Sequence, residues 1–212
     1  SMLYSFLKFL VGIAVRVFFR SVEWKNEEKI PKGKVPLLFV ANHPGTFMDP
    51  IVIASHIKQE VFFLAKAEVF RSKFAAWILP KFNVIPVYRK QDDATLMHKN
   101  DETFVRCYDH LSKRGCILIF PEGISLVERK LRKIKTGAAR ITLGAEANND
   151  FKLGVKIVPI GINYSHTIQF QSNLFMNVGE PIEVGSYENA YKQDQFAAAE
   201  DLTDKIRERL EA

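Results

Sequence analysis

The chain has 212 residues, 47% of them hydrophobic and 25% charged, which is enough to bury one sizeable core and excludes a disordered or fibrous chain. Its 30 Lys and Arg against 24 Asp and Glu leave a net charge of +6, so anionic partners are favoured, whether nucleic acid, phosphorylated substrates or anionic lipid headgroups. Two cysteines, Cys107 and Cys116, without Cys-x-x-Cys spacing, argue against a disulfide framework or zinc site and fit a reducing compartment.

Ser1 ahead of Met2 reads as a cloning remnant before the native start. Residues 2–22 are then almost uninterrupted apolar sequence, broken by Lys8, Arg16 and Arg20, with Leu3, Phe6, Leu7, Leu10, Ala14, Val17 and Phe18 on one helical face. That pattern predicts an amphipathic helix lying in a membrane interface, its cations at headgroup level; a core helix packed on its own domain is the alternative. A polar, lysine-rich turn follows over residues 25–34. Strands are predicted over 35–41, 61–65, 83–88, 116–120, 155–162 and 173–178. Helices are predicted over 50–56, 70–79, 100–113, 135–147 and 195–210. Alternating strands and helices make this an α/β single domain, with a mostly parallel mixed sheet covered by helices on both faces. Residues 1–24 would form the N-terminal helix and residues 25–212 the main domain.

The strongest local signal is the run from Phe39 to Pro50, in which a hydrophobic strand meets His43 and Asp49 follows six residues later. On a regular helix that offset turns through about 600°, so a helix cannot bring the two side chains together. Pro44 and Gly45 instead break the chain after His43, placing it on a loop at the carboxyl end of a strand, where open α/β sheets bind ligands. Asp49 before Pro50 suits the start of the next helix. A bend between them would let Asp49 accept a hydrogen bond from the imidazole, fix its tautomer and stabilise the imidazolium formed when the other ring nitrogen takes a proton. The alternative is a carboxylate that only caps its helix beside a histidine that only lines a loop.

A second buried strand, residues 116–120, stops in the turn Pro121-Glu122-Gly123 and brings Glu122 to the same carboxyl edge. Beyond it Arg129, Lys130, Arg132, Lys133 and Lys135 form a cationic run ahead of a helix that begins near Thr136. Several of these cations could meet a phosphate at that helix's amino end, although a run of this kind also suits a solvated face.

Together these stretches resemble the glycerol-3-phosphate and lysophosphatidate acyltransferase superfamily, whose members share four short blocks in fixed order. His43 with Asp49 resembles the first block, Val84 through Arg89 the second, Phe120 through Gly123 the third, and Ile157 through Gly161 the fourth. The resemblance implies transfer of a fatty acyl group from a thioester, acyl-coenzyme A or acyl carrier protein, to the hydroxyl of a glycerol-phosphate or lysophospholipid acceptor in phospholipid synthesis. His43 would be the general base and Asp49 its orienting partner, with Arg89, Glu122 and Gly123 in acceptor binding and Pro159 structural.

This chain departs from the common pattern twice. Five residues, Pro44 to Met48, separate His43 from Asp49 where most members have four. The Thr-Arg that commonly follows Glu-Gly is replaced by Ile124-Ser125, so acceptor contacts would fall to Arg89, Ser125, Arg129 and Lys135, or the acceptor is not a simple phosphomonoester. No cofactor beyond the acyl donor and no metal are implied. A noncatalytic lipid-binding protein is the main rival, and a nucleic-acid-binding protein or a metal hydrolase are weaker ones. Phe47, Met48, Phe62, Phe63, Phe70, Phe74, Trp77 and Phe82 are candidate walls of an acyl pocket or plain core. The expected setting is peripheral or monotopic, at the cytoplasmic face of an inner membrane.

Overall fold

The computed structural model describes residues 2–42, 49–88, 99–121, 134–164 and 171–211. Its centre is set by β2 (Leu37–Ala41), a run of five residues all buried, as a strand covered on both faces requires. β2 lies between β5 (Cys116–Ile119) and β6 (Lys156–Tyr164), parallel to both. Beyond β5 come β3 (Val61–Lys66) and the edge strand β4 (Val84–Val87), again parallel. On the other side β7 (Asn173–Val178) and the two-residue β8 (Ile182–Glu183) both run antiparallel to β6. β1 (Ser21–Lys25) closes that edge parallel to β7. The spatial order is β1-β7-β6-β2-β5-β3-β4, with β8 against the first residues of β6. This is the mixed, mostly parallel sheet that the alternation predicted.

Helices cover both faces. One face is packed by α4 (Lys99–Ser112), α5 (Gly137–Ala147) and α7 (Gln195–Glu211) on Leu38, Val40, Ile117 and Ile157. The other is packed by α1 (Met2–Phe18) and α2 (Asp49–His56) on Leu37, Phe39, Leu118, Val158 and Ile160. Residues alternating along β2 therefore feed two separate cores. The short helices α3 (Lys73–Ile78) and α6 (Glu188–Gln193) complete the described elements.

Val15, with Phe19 just beyond the helix, is buried in the second core, while Phe6, Phe9, Leu10, Ile13 and Val17 are exposed. The helix is thus apolar on its outer side as well as its inner one. Lys8 donates through Nζ to the carbonyl of Ile57, just past the carboxyl end of α2, a favourable place for a cation. Burial pushes the Lys8 amine below its ordinary value. Among the described residues, no helix is long and apolar enough to cross a membrane.

Three local expectations need correction. The helix expected over residues 70–79 is broken into a 3-10 turn at Ala67–Phe70, α3 with Ser72 as its N-cap, and a second 3-10 turn at Leu79–Phe82 that begins with a proline in its first turn. β1 lies where a helix end and a polar turn were expected, because its half-buried Val22 and Trp24 are paid back only by β7, far away in sequence. This strand straddles position 24, so the sheet takes its first strand from the N-terminal side of that point. β8 and α6 were also missed, being too short to carry a periodic signal.

Candidate active site

Because β2 through β6 are parallel, their carboxyl ends lie on one edge of the sheet. The strands associated with the four sequence blocks all run to this edge: Asn42 follows β2, Tyr88 follows β4, Phe120 and Pro121 follow β5, and β6, which carries the fourth block, continues to Tyr164. Crevices at such an edge are the usual ligand sites of open α/β sheets. His43, Arg89, Glu122, Gly123, Ser125 and Arg129 lie outside the described residues, as do Phe47 and Met48. Asp49 and Lys135 lie within them.

Asp49 opens α2 and is fully buried at 0% exposure. The Tyr164 hydroxyl donates a hydrogen bond to Asp49 Oδ1. A buried carboxylate needs such donors, since its charge is costly to take out of water unless it is hydrogen-bonded. Asn42, at the other end of the 43–48 segment, is held just as firmly. Its side-chain Nδ2 donates to the Ile162 carbonyl at 2.9 Å, and its Oδ1 accepts from the Ile162 backbone N–H. The amide thus imitates one more rung of the β2–β6 ladder after the main chain of β2 has left the sheet. The residues before and after the 43–48 segment are consequently both pinned to β6, two positions apart.

The same device recurs at β4. Asn100, in the first turn of α4, accepts from the Tyr88 backbone N–H at 2.9 Å and donates to the Tyr88 carbonyl at 2.7 Å. Thr103 adds a bond to the Pro86 carbonyl at 2.9 Å. The residue before Arg89 is thereby fixed. A cavity of about 380 Å³ opens there, lined by Pro86, Tyr88, Lys99, Glu102, Thr103 and Arg106. A cavity of about 400 Å³ between the carboxyl end of α5 and α6, lined by Phe151, Glu188 and Tyr191 among others, lies instead toward the amino edge of the sheet, away from this chemistry.

Lys135 is exposed immediately ahead of α5, whose amino end faces the same edge as Asp49. Thr136 makes no side-chain cap there. Pro159 falls between the stretches of β6 that pair with β8 and with β7, and its carbonyl accepts from the Gly179 N–H at 2.8 Å. A residue without an N–H interrupts least where the partner strand changes.

The aromatic residues considered as one pocket wall are separated. Phe62 packs toward the α4 face, stacked on His110 with ring centroids 3.6 Å apart, while its neighbour Phe63 packs on the opposite face. Successive strand residues point to opposite sides, so the two cannot share a wall. Phe74 and Trp77 are 71% and 59% exposed. Asn42, Asn100 and Tyr164 were not singled out by sequence reasoning. A polar amide directly after a buried strand was the available signal for Asn42; nothing local marks Tyr164, whose partner is 115 positions away. Among the described residues, no group of three His, Cys, Asp or Glu could hold a metal ion.

The architecture is similar to that of the 1-acyl-sn-glycerophosphate acyltransferase PlsC from Thermotoga maritima, with a TM-score of 0.65 and 19% identity over 98% of this chain and 78% of that one. In sequence the chain is 41% identical over 112 residues to glycerol-3-phosphate O-acyltransferase 2 of Saccharomyces cerevisiae, covering 52% of this chain and 15% of that protein. It is 26% identical over 153 residues to the chloroplastic 1-acyl-sn-glycerol-3-phosphate acyltransferase BAT2 of Brassica napus, covering 72% of this chain and 40% of that protein. The chain therefore spans 40% or less of the length of these curated relatives. A family model described as Acyltransferase matches residues 21–163, from β1 to the penultimate residue of β6 and across all four blocks, so the chain belongs to the acyltransferase family.

Proposed function

We propose that this chain transfers a fatty acyl group from a thioester, acyl-coenzyme A or acyl carrier protein, to the hydroxyl of glycerol 3-phosphate or a 1-acylglycerol phosphate. The observation that carries the reading is the buried, hydrogen-bonded Asp49 at the start of α2, six residues after a histidine on a segment whose two flanks are pinned to β6. His43 takes the proton of the acceptor hydroxyl, and the oxygen attacks the thioester carbonyl carbon. The C–O bond forms, the C–S bond breaks, and the imidazolium returns its proton to the departing thiolate. Asp49 holds the ring in the required tautomer and balances its charge. Arg89, Ser125, Arg129 and Lys135, with Glu122 and Gly123, form the acceptor site. The exposure of Lys135 beside the amino end of α5 supports a place for a phosphate there.

The enzyme acts at a membrane surface that faces the cytoplasm. Two exposed apolar regions favour the membrane surface: the outer side of α1, with Phe6, Phe9, Leu10, Ile13 and Val17, and the α3 region, with Val69, Phe74 and Trp77. Lys66, Arg71, Lys73 and Lys81 surround the second region and suit anionic headgroups, as does Lys81 lying 3.5 Å over the Trp77 ring.

The deciding measurement is mass-spectrometric product analysis with acyl-coenzyme A and acyl carrier protein donors against glycerol 3-phosphate, lysophosphatidate and phosphate-free lysolipids. His43→Ala should lose roughly 10² to 10⁴ in turnover with its fold intact. Full activity in that variant refutes the mechanism, and transfer only to phosphate-free acceptors refutes the acceptor. Flotation with anionic vesicles, comparing wild type with Phe9→Ser/Ile13→Ser and Phe74→Ser/Trp77→Ser, tests the surface. These positions are chosen over a deletion of α1 because Val15 and Phe19 belong to the core.

A further inference from the structure

Tyr164 lies outside the four sequence blocks, yet its hydroxyl reaches the carboxylate on which the proposed dyad depends. Three observations define its setting. Its strand β6 also holds Asn42 through Ile162, so the tyrosine and the flank of His43 share one rigid support. Its ring is half-buried and meets Phe19 at 6.1 Å between centroids, with the planes tilted by 38°. Phe19 is itself only 2% exposed and follows directly on α1. Lys8 of the same helix reaches the carboxyl end of α2, and Phe19 after it meets the tyrosine bonded to Asp49 at the start of α2, so α1 runs antiparallel to α2.

We propose that Tyr164 is the positioning residue of Asp49: its hydroxyl anchors Oδ1 so that the carboxylate presents a fixed face to the imidazole, while Phe19 packs behind the tyrosine ring. The proposal rests on the reading of His43 and Asp49 as a general-base dyad. An ionised carboxylate can accept about four hydrogen bonds, so a tyrosine donor does not displace an imidazole donor. What it removes is freedom. A carboxylate at the start of a helix has several side-chain rotamers, and only some aim at a group on the preceding segment. A phenol held by its own ring packing selects among them before substrate binds, which is the preorganisation a general base requires. Tyr164 touches neither substrate nor reacting atoms in this scheme and acts through Asp49.

The test is a double-mutant cycle on the full chain, with oleoyl-coenzyme A as donor and with glycerol 3-phosphate and lysophosphatidate as acceptors, measuring kcat and KM separately and thermal unfolding alongside. Tyr164→Phe keeps the ring against Phe19 and removes only the hydroxyl. It should lower kcat by about tenfold to hundredfold, the worth of a hydrogen bond to a charged group, with KM within about twofold of wild type. In the Asp49→Asn background the same substitution should add little, because its effect passes through that carboxylate. Two outcomes overturn the proposal alone: Tyr164→Phe retaining wild-type kcat while Asp49→Asn is impaired, or a Tyr164→Phe loss that multiplies in full on top of Asp49→Asn, as a general structural defect would. Wild-type activity in Asp49→Asn overturns the dyad itself, and this assignment with it.

Discussion

Asn42 offers the sharpest test of how the chain is held to β6 where it leaves β2. Replacing it with alanine removes the Nδ2 donor to the Ile162 carbonyl at 2.9 Å and the Oδ1 acceptor for the Ile162 N–H. Ile162 is 0% exposed, so both backbone groups lose their partners in a largely buried place. Each orphaned group costs about 1–3 kcal/mol. Two such groups together cost about 2–6 kcal/mol; because Asn42 is itself half-buried and water can reach part of the gap, the loss should fall in the lower half of that span, about 2–4 kcal/mol. For a domain of this size that is a drop in Tm of about 5–15 °C. Asn42→Asp is the more informative change because it keeps shape and volume. It retains the acceptor for the N–H but sets a carboxylate oxygen against a carbonyl oxygen where a donor stood, so at pH 7 it should be at least as destabilising as alanine. That contact disfavours the charged form, so in the folded protein the carboxyl should protonate above its ordinary value of about 3.9 and donate again, and the deficit relative to wild type should shrink as the pH falls from 7 toward 4. Urea denaturation from pH 7 to pH 4, with acyl transfer measured at pH 7, reads both effects. An Asn42→Asp variant as stable and active as wild type at pH 7 would refute the ladder-mimic reasoning.

Glu146 should behave as a structural latch: it is fully buried in α5 and accepts from Val155 N at 2.6 Å and from Leu153 N at 3.2 Å, which sets the start of β6. Glu146→Ala should cost about 3–5 kcal/mol by chemical denaturation, and a loss under about 1 kcal/mol would contradict that role. Burial pushes the Cys107 and Cys116 thiols up to about 12 from an ordinary 9.0, so at pH 8 both should alkylate about a thousandfold more slowly than a free thiol, from thiolate fraction alone. Rapid stoichiometric labelling of native protein would rule this out. Burial against Phe62 also holds His110 below its ordinary 6.5, with the Cys116 carbonyl and Glu60 opposing in part. The unfolded chain therefore binds this proton more readily than the folded one, and His110's share of stability, whole above about pH 6.5, falls away as the pH drops below it. His110→Gln should flatten the stability slope between pH 7 and 5; an unchanged slope would assign it to other groups.

Much of the fold was legible because it is written in local patterns. The short apolar run of β2 suits a strand covered on both faces, and Asp49-Pro50 suits the helix start that it forms here. The buried runs that end at Ala41 and Ile119 were likewise readable as strands without any knowledge of strand order, although His43 and Glu122 beyond them lie outside the described residues. β1 was not legible, since Ser21–Lys25 becomes a strand only by pairing with β7, which starts at Asn173. The pocket aromatics were misleading for the opposite reason: Phe62 and Phe63 are adjacent in sequence and a whole sheet apart in space. The sequence by itself thus determined the layered α/β plan and the mostly parallel sheet, because each follows from spacing along short segments. The tertiary structure alone decided that Asn42 and Asp49 are both held by β6, through Ile162 and Tyr164, since a hydrogen bond across more than a hundred residues leaves no periodicity to read and exists only once β2 and β6 lie side by side.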